Sequence, residues 1–262
     1  MYATERRERI MAELRATGRV SVAALAELLG VTSETVRRDL DRLESAGRIQ
    51  RVHGGAVDAG RGSMHETDVA ERERRNLEAK RRIARAALAL IPDGFRGSIL
   101  FDAGSTTAQL AALLSARAAA GARRLVCISN SAPIVALLAA EGTVRVVALG
   151  GRVRGVTRAA VGPATIEQLR GMRPDLAFLG TNGISAGFGL STPDADEAEV
   201  KRRMVRSARR AVVLADAAKF GQEALTGFAG LEEVDVLVTE AEPPEPLAAA
   251  LREAEVEVVI GR

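Results

Sequence analysis

The chain has 262 residues, enough to bury about 70 to 75% of the surface its unfolded form exposes, and one small domain plus a larger one is the natural partition. With 47% hydrophobic and 27% charged residues and no apolar run of about 18 residues, it reads as a globular protein without a membrane-spanning helix. The lone Cys127 excludes a disulfide framework and fits a reducing cytoplasm. Two histidines leave no zinc-site spacing, and the charged start MYATERRERIMAEL is not a secretory signal. A formal charge of +3 is too small to name a partner, and residues 1–57 hold ten Arg against eight Asp or Glu. The position of the arginines therefore carries more information than their sum.

In chain order, Ile10, Met11 and Leu14 recur at helical spacing and Gly18 follows as a stop, which predicts a first helix. Ser21 stands as N-cap before VAALAELLG, where Leu25, Leu28 and Leu29 form the apolar stripe and Gly30 ends a second, short helix. Ser33 or Thr32 caps a third helix, from about Glu34 to Ala46 and stopped by Gly47, with Val36, Leu40 and Leu43 turned inward. Two helices joined by about three residues with glycine in the turn make a helix-turn-helix, whose second helix enters the major groove of DNA. Ser33, Thr35, Arg37, Arg38 and Arg42 occupy its outer faces. Arg37 and Arg38 differ by about 100° around the axis, so one suits a guanine edge and the other a phosphate. RIQRVHGGAV then reads as a β-wing hinged at Gly54 and Gly55, with Arg51 and His53 as contacts to the flanking backbone or minor groove. The same periodicity also fits a plain helical bundle whose arginines form a solvated face balanced by Glu34, Asp39, Asp41 and Glu44.

Residues 58–65 are Gly-rich and aperiodic, as in a linker, and one helix is expected across ETDVAERERRNLEAKRRIARAALALI. Apolar strands then alternate with amphipathic helices: GSILFDAG, RLVCIS, VRVVALGG, DLAFLG, RAVVLAD, DVLVTE and EVEVVIG are the strands. This pattern implies a mainly parallel α/β sheet covered on both faces, with its ligand crevice beyond the carboxyl ends of the strands. The residues there are small and polar. They are Asp102, Gly104, Ser105, Thr106 and Thr107 at a helix start, then Asn130, Gly151, Arg152, Thr181, Asn182, Gly183, Asp216 and Lys219. Glu197 and Lys201 stand four apart on one helix. Helix N–H groups and cations suit a phosphate, while carboxylates and amides suit hydroxyls, so a phosphorylated sugar is the ligand class indicated. Only Lys80, Lys201 and Lys219 are lysines among 37 basic residues, which marks each as a place wanting a compact ammonium.

GRVSVAALAELLGVTSETVRRDLDRLESAGRIQRVHGGA resembles the DNA-binding domain of the DeoR family of bacterial transcriptional regulators. The rest resembles that family's effector domain in Asp102-Ala-Gly-Ser-Thr-Thr, Asn130, Gly-Gly-Arg at 150–152, Glu-Ala followed by Lys201, and Asp216 with Lys-Phe-Gly at 219–221. The resemblance implies a winged helix-turn-helix over 1–57, a linker and the start of a connecting helix over 58–75, and a ribose 5-phosphate isomerase-like α/β domain over 76–262. It implies a sequence-specific DNA-binding homo-oligomer with no metal or cofactor, a repressor released by a phosphorylated sugar. An isomerase-type enzyme with an accessory DNA-binding domain is the competing expectation, with Asp102, Glu197 and Asp216 as its candidate bases. Asn182 stands where the family often has Asp, and Ala217 and Ala218 where it often has Ser. LGTNGIS and STPD are similar to members linked to fructose use.

Overall fold

The computed structural model describes residues 2–17, 19–46, 48–52, 54–58, 66, 69–119, 125–140, 142 and 144–262. They form two compact units, Met1–His65 and Glu66–Arg262. The expected stops at Gly18 and Gly47, residue His53 and the Gly-rich stretch 59–65 lie outside the described residues.

The first unit runs α1 (Ala3–Thr17), β1 (Arg19–Ser21), α2 (Val22–Leu29), α3 (Ser33–Ser45), β2 (Ile49–Val52) and β3 (Gly55–Asp58). The Ser21 hydroxyl accepts the Ala24 N–H at the head of α2, and Gly30 closes that helix at φ 62°. Of the two possible caps for α3, Thr32 is the one that accepts, from the Thr35 N–H. Ile10, Leu14, Leu25, Val36, Leu40 and Leu43 meet in one core. Leu28, placed on the apolar stripe by its spacing, is exposed instead. β1 carries no signal in its three residues, yet it completes a sheet of order β1-β3-β2. Gly55 is required there, because a Cβ would lie 1.9 Å from the Val20 carbonyl oxygen. Asp39 corrects the solvated-face reading: it is buried, and Arg6 Nε donates to its carboxylate at 2.5 Å, tying α1 to α3.

The second unit opens with α4 (Val69–Arg74), α5 (Leu77–Ala89), β4 (Ser98–Phe101), α6 (Ser105–Ala119), β5 (Val126–Ser129), α7 (Ala132–Ala140) and β6 (Arg145–Ala148). It continues through β7 (Arg152–Val153), β8 (Ala160–Val161), α8 (Pro163–Arg170), β9 (Leu176–Gly180), β10 (Gly183–Ser185), β11 (Gly189–Thr192) and α9 (Ala195–Ser207). β12 (Ala211–Leu214), β13 (Thr226–Ala229), β14 (Val236–Thr239), α10 (Glu245–Glu253) and β15 (Glu257–Ile260) close the chain. A seven-stranded parallel sheet has the order β15-β14-β12-β9-β4-β5-β6. The inner strands β14, β12, β9, β4 and β5 are apolar on both faces because both are covered, while the edge strands β15 and β6 are partly exposed, at Glu257 and Arg145 among others. Ile99 and Phe101 pack with Ile83, Leu110 and Leu138 of α5, α6 and α7, and Phe101 stacks on Phe178 at 5.9 Å. Leu100, pointing the other way, packs with Leu169, Met204 and Leu251 of α8, α9 and α10.

The single helix expected at the start of this unit is broken. Asn76 adopts φ 52°, a left-handed conformation that asparagine tolerates better than most residues, and separates α4 from α5. A two-stranded hairpin (β7, β8) and a three-stranded antiparallel sheet of order β10-β11-β13 add to the expected strands.

Candidate functional site

On α3 the outward residues form a continuous face. Ser33 and Arg42 are exposed, and the side chains of Arg37 and Arg38 are 58% and 77% exposed. Glu34 flanks both arginines, at 3.9 and 3.5 Å. Such exposed pairs contribute about 0 to 1 kcal/mol, so they do not hold either guanidinium back from an incoming phosphate or base. Thr35 is committed to the helix start, its N–H donating to the Thr32 hydroxyl at 3.3 Å. Arg51 does not reach outward as expected. Its guanidinium donates to Asp41 at 3.0 Å and its N–H to the Glu44 carboxylate, so it braces the wing against α3.

In the second unit the chain leaves β4 for β5 and β6 on one side, then returns to β9 on the other. The carboxyl ends of β4 and β9 therefore flank the point where such sheets bind ligands. Asp102 lies there, fully buried. Its carboxylate accepts from the Thr107 hydroxyl at 3.0 Å, from the Gly180 N–H at 2.9 Å, and from the Lys201 ammonium, which also donates to the Gly180 carbonyl at 2.9 Å. One buried ion pair thus pins β4, β9 and α9 together.

Glu197 and Lys201 bond other residues rather than each other. Glu197 accepts from Arg154 at 2.6 Å and from the Thr157 hydroxyl. Arg154 also pairs with Glu66 at 2.6 Å and Asp194 at 3.2 Å. The hydrogen bonds that Arg154 donates to the Glu66 carboxylate are the main cause that raises its pKa further, so the guanidinium stays charged. Spacing gave no reason to pick Arg154 out of RVRGVTR. Arg152, the arginine singled out, is exposed and paired with Asp196.

The remaining expected residues divide by what they touch. The Thr107 hydroxyl ties the loop, bonded to Asp102 and to Gly104. A Cβ at Gly104 would meet that hydroxyl at 2.8 Å. Gly151 packs against Thr165 and Gly183 against the Gln222 carbonyl, each with a Cβ position 2.2 Å from its neighbour. The Thr181 hydroxyl donates to the Gly183 carbonyl at 2.6 Å, and Asn182 Oδ1 accepts from Thr192 at 3.1 Å, holding the small sheet. Ser105 and Thr106, in the first turn of α6, are mostly buried, and their hydroxyls bond no described residue. Asn130 donates to the Ala160 carbonyl at 2.9 Å, while its Oδ1 is buried with no partner among the described residues. Asp216 Oδ1 accepts from Asn76 at 3.1 Å and from the Ala218 N–H, with half-buried Lys219 three residues on. The ends of β5, β4, β9 and β12, adjacent in the sheet, therefore gather Asn130, Ser105, Thr106, Asp102, Thr181 and Asp216 along one edge. No group of three or more His, Cys, Asp or Glu among the described residues is placed to hold a metal ion. No described helix is long and apolar enough to cross a membrane.

Two family models match this chain, the DeoR-like helix-turn-helix domain over residues 6–59 and the DeoR C terminal sensor domain over residues 75–241. The HTH-type transcriptional regulator GlpR of Haloferax volcanii is 37% identical over 92% of this chain and 91% of its own. The putative aga operon transcriptional repressor of Escherichia coli O157:H7 is 34% identical over 98% and 93%, respectively. The glycerol-3-phosphate regulon repressor of Escherichia coli K12 is 30% identical over 93% of each. A solved structure of ribose 5-phosphate isomerase A from Methanocaldococcus jannaschii is a distant likeness, with a TM-score of 0.41 and 21% identity over 55% of this chain and 54% of that one. The helix-turn-helix with its outward arginines, the parallel sheet with its polar carboxyl edge, and both family models agree: this chain belongs to the DeoR family of DNA-binding transcriptional regulators.

Proposed function

We propose that this regulator represses sugar-catabolic genes in the cytoplasm and is released from its operator by a phosphorylated sugar bound at the carboxyl edge of the sheet. The observation that carries the reading is the set of unpartnered polar atoms there, the Ser105 and Thr106 hydroxyls on the first turn of α6 and the buried Oδ1 of Asn130. A phosphate fits the helix start, and an orphaned amide oxygen fits a sugar hydroxyl. Two relatives named as repressors, of an aga operon and of a glycerol-3-phosphate regulon, support the repressor role. Residues 1–57 would read the operator through Ser33, Thr35, Arg37, Arg38 and Arg42, and residues 76–262 would bind the effector and hold the subunits together, with 58–75 linking them. An enzymatic reading is disfavoured at two of its three candidate bases, because the carboxylates of Asp102 and Glu197 are committed to Lys201 and Arg154, while Asp216 is held by the Asn76 amide and the Ala218 N–H.

One short recognition helix reads too few bases for genomic specificity, so the protein is expected to span two half-sites as an oligomer. Gel-shift titration on DNA from upstream of the neighbouring genes tests both points when paired with light scattering. The expected result is a multi-subunit complex dissociated by one sugar phosphate, a fructose phosphate being the first to try, and not by its unphosphorylated sugar. Release by no sugar phosphate, or a monomer with and without DNA at micromolar concentration, would contradict the reading.

A further inference from the structure

Glu66 is the first residue of the second unit, the point at which the chain crosses from the DNA-binding unit. Its carboxylate is held by the Arg154 guanidinium through two bonds, Nη1 to Oε1 at 2.9 Å and Nη2 to Oε2 at 2.6 Å. The two side chains are 11% and 13% exposed, so solvent screens this forked pair less than a surface one. The Glu66 carboxylate bonds no other described residue.

The same arginine reaches both sides of the proposed effector edge. Its backbone belongs to the β7–β8 hairpin, where its N–H donates to the Ala159 carbonyl at 2.9 Å and its carbonyl accepts from the Arg158 N–H at 2.7 Å. Arg158 closes that turn at φ 55°, a left-handed conformation costly for arginine, with its own carbonyl on the Ala132 N–H at the head of α7. One residue further, Ala160 donates its N–H to the Asn130 carbonyl at 2.7 Å and accepts from the Asn130 side-chain amide at 2.9 Å. That is the amide whose Oδ1 has no partner among the described residues. On the other side, the Arg154 guanidinium holds Glu197 at 2.6 Å and Asp194 at 3.2 Å. Asp194 caps α9 by accepting the Glu197 N–H at 2.9 Å, and one turn on Lys201 pairs with Asp102. One guanidinium thus serves carboxylates at the start of the unit and on α9, and a shift of the hairpin or of α9 changes its grip on Glu66.

We propose that the Arg154–Glu66 pair is a latch: closed, it fixes the crossing point of the chain and favours operator binding, and an effector drawing on Asn130 and the hairpin opens it. A fixed crossing point leaves the DNA-binding unit fewer arrangements to lose on binding, which is the entropic gain of preorganisation. An effector opposes operator binding only through an element whose two states both ligands distinguish, and this pair joins the effector edge to the exit of the chain. The opening half of this inference rests on the effector reading above; the holding half does not.

Gel-shift titration of the wild type and Glu66→Gln on the same operator tests it, without sugar and with fructose 1-phosphate, fructose 6-phosphate or glucose 6-phosphate. Without sugar the variant is expected to bind operator about tenfold more weakly, the size of one charge-assisted contact. The factor by which a sugar phosphate weakens operator binding should fall from about 5 to 150-fold to about twofold or less. Calorimetry should show the affinity of the variant for that sugar phosphate retained or raised, since the effector no longer works against the latch. A merely structural role would lower stability and leave the release factor unchanged. Wild-type operator affinity in the variant, or weakened affinity with undiminished release, would overturn the latch while leaving the effector reading intact. If none of the three sugars releases the wild type, the effector reading falls; a tenfold weaker Glu66→Gln then still supports the holding half, and unchanged affinity overturns it. Circular dichroism checks the fold, and Glu66→Asp, too short to keep both bonds, supplies the same comparison if Glu66→Gln does not fold.

Discussion

Replacing Lys201 with methionine is expected to destabilise the sensor domain by about 3 to 5 kcal/mol, because Asp102 would be left as a buried charge without its partner. Asp102 is 1% and the Lys201 side chain 10% exposed, so solvent offers little compensation. The loss should reach beyond the pair, since Lys201 also holds the Gly180 carbonyl at the end of β9 and so joins α9 to the middle of the sheet. The double variant Asp102→Asn/Lys201→Met removes both charges and should recover a large part of the loss. Urea unfolding followed by circular dichroism is the suitable readout, because the chain has no tryptophan and one tyrosine, Tyr2. A double variant as unstable as the single one would show that the pair is not what holds these elements.

Arg37→Ala and Arg38→Ala should each weaken operator binding, by about 1 to 3 kcal/mol for the arginine that reads a base. The two neighbours cannot fail in the same way, since about 100° of helix rotation separates them. Loss of a base contact relaxes specificity at one operator position. Loss of a phosphate contact weakens binding to every sequence and reduces the salt slope by about one. Binding isotherms at several salt concentrations, on the operator and on single-base variants of it, separate the two. Wild-type affinity in both variants would remove α3 from the groove.

The helix-turn-helix was legible because local chemistry dictates it: Ser21 and Gly30 bound one helix, and Val36, Leu40 and Leu43 recur on one side of the next. The parallel sheet was legible because its inner strands are apolar on both faces. β1 escaped notice because three residues cannot show a period, and β10 and β11 because Gly183 and Gly189 dilute their pattern. The break at Asn76 was hidden inside a charged run that helical propensity alone would continue. At the sheet edge, residue type located the loops but not the roles within them. Ser105, Thr106 and Thr107 look equivalent in sequence, yet only Thr107 turns its hydroxyl back onto Asp102. Asp102 and Lys201 are 99 positions apart, so only the crossing of β4, β9 and α9 brings them into contact. Arg154 is the same case, drawn to Glu66 and Glu197 by tertiary contacts that no spacing encodes.

Effector and operator must oppose each other if a sugar phosphate releases the protein from DNA, and thermodynamic linkage makes the opposition reciprocal. Calorimetric titration of the sugar phosphate into the free protein, and again into its operator complex, measures this directly. The expected result is that operator DNA weakens effector binding by the same factor by which the effector weakens operator binding, about 5 to 150-fold for a coupling of about 1 to 3 kcal/mol. Equal effector affinity with and without operator DNA would contradict release by a sugar phosphate.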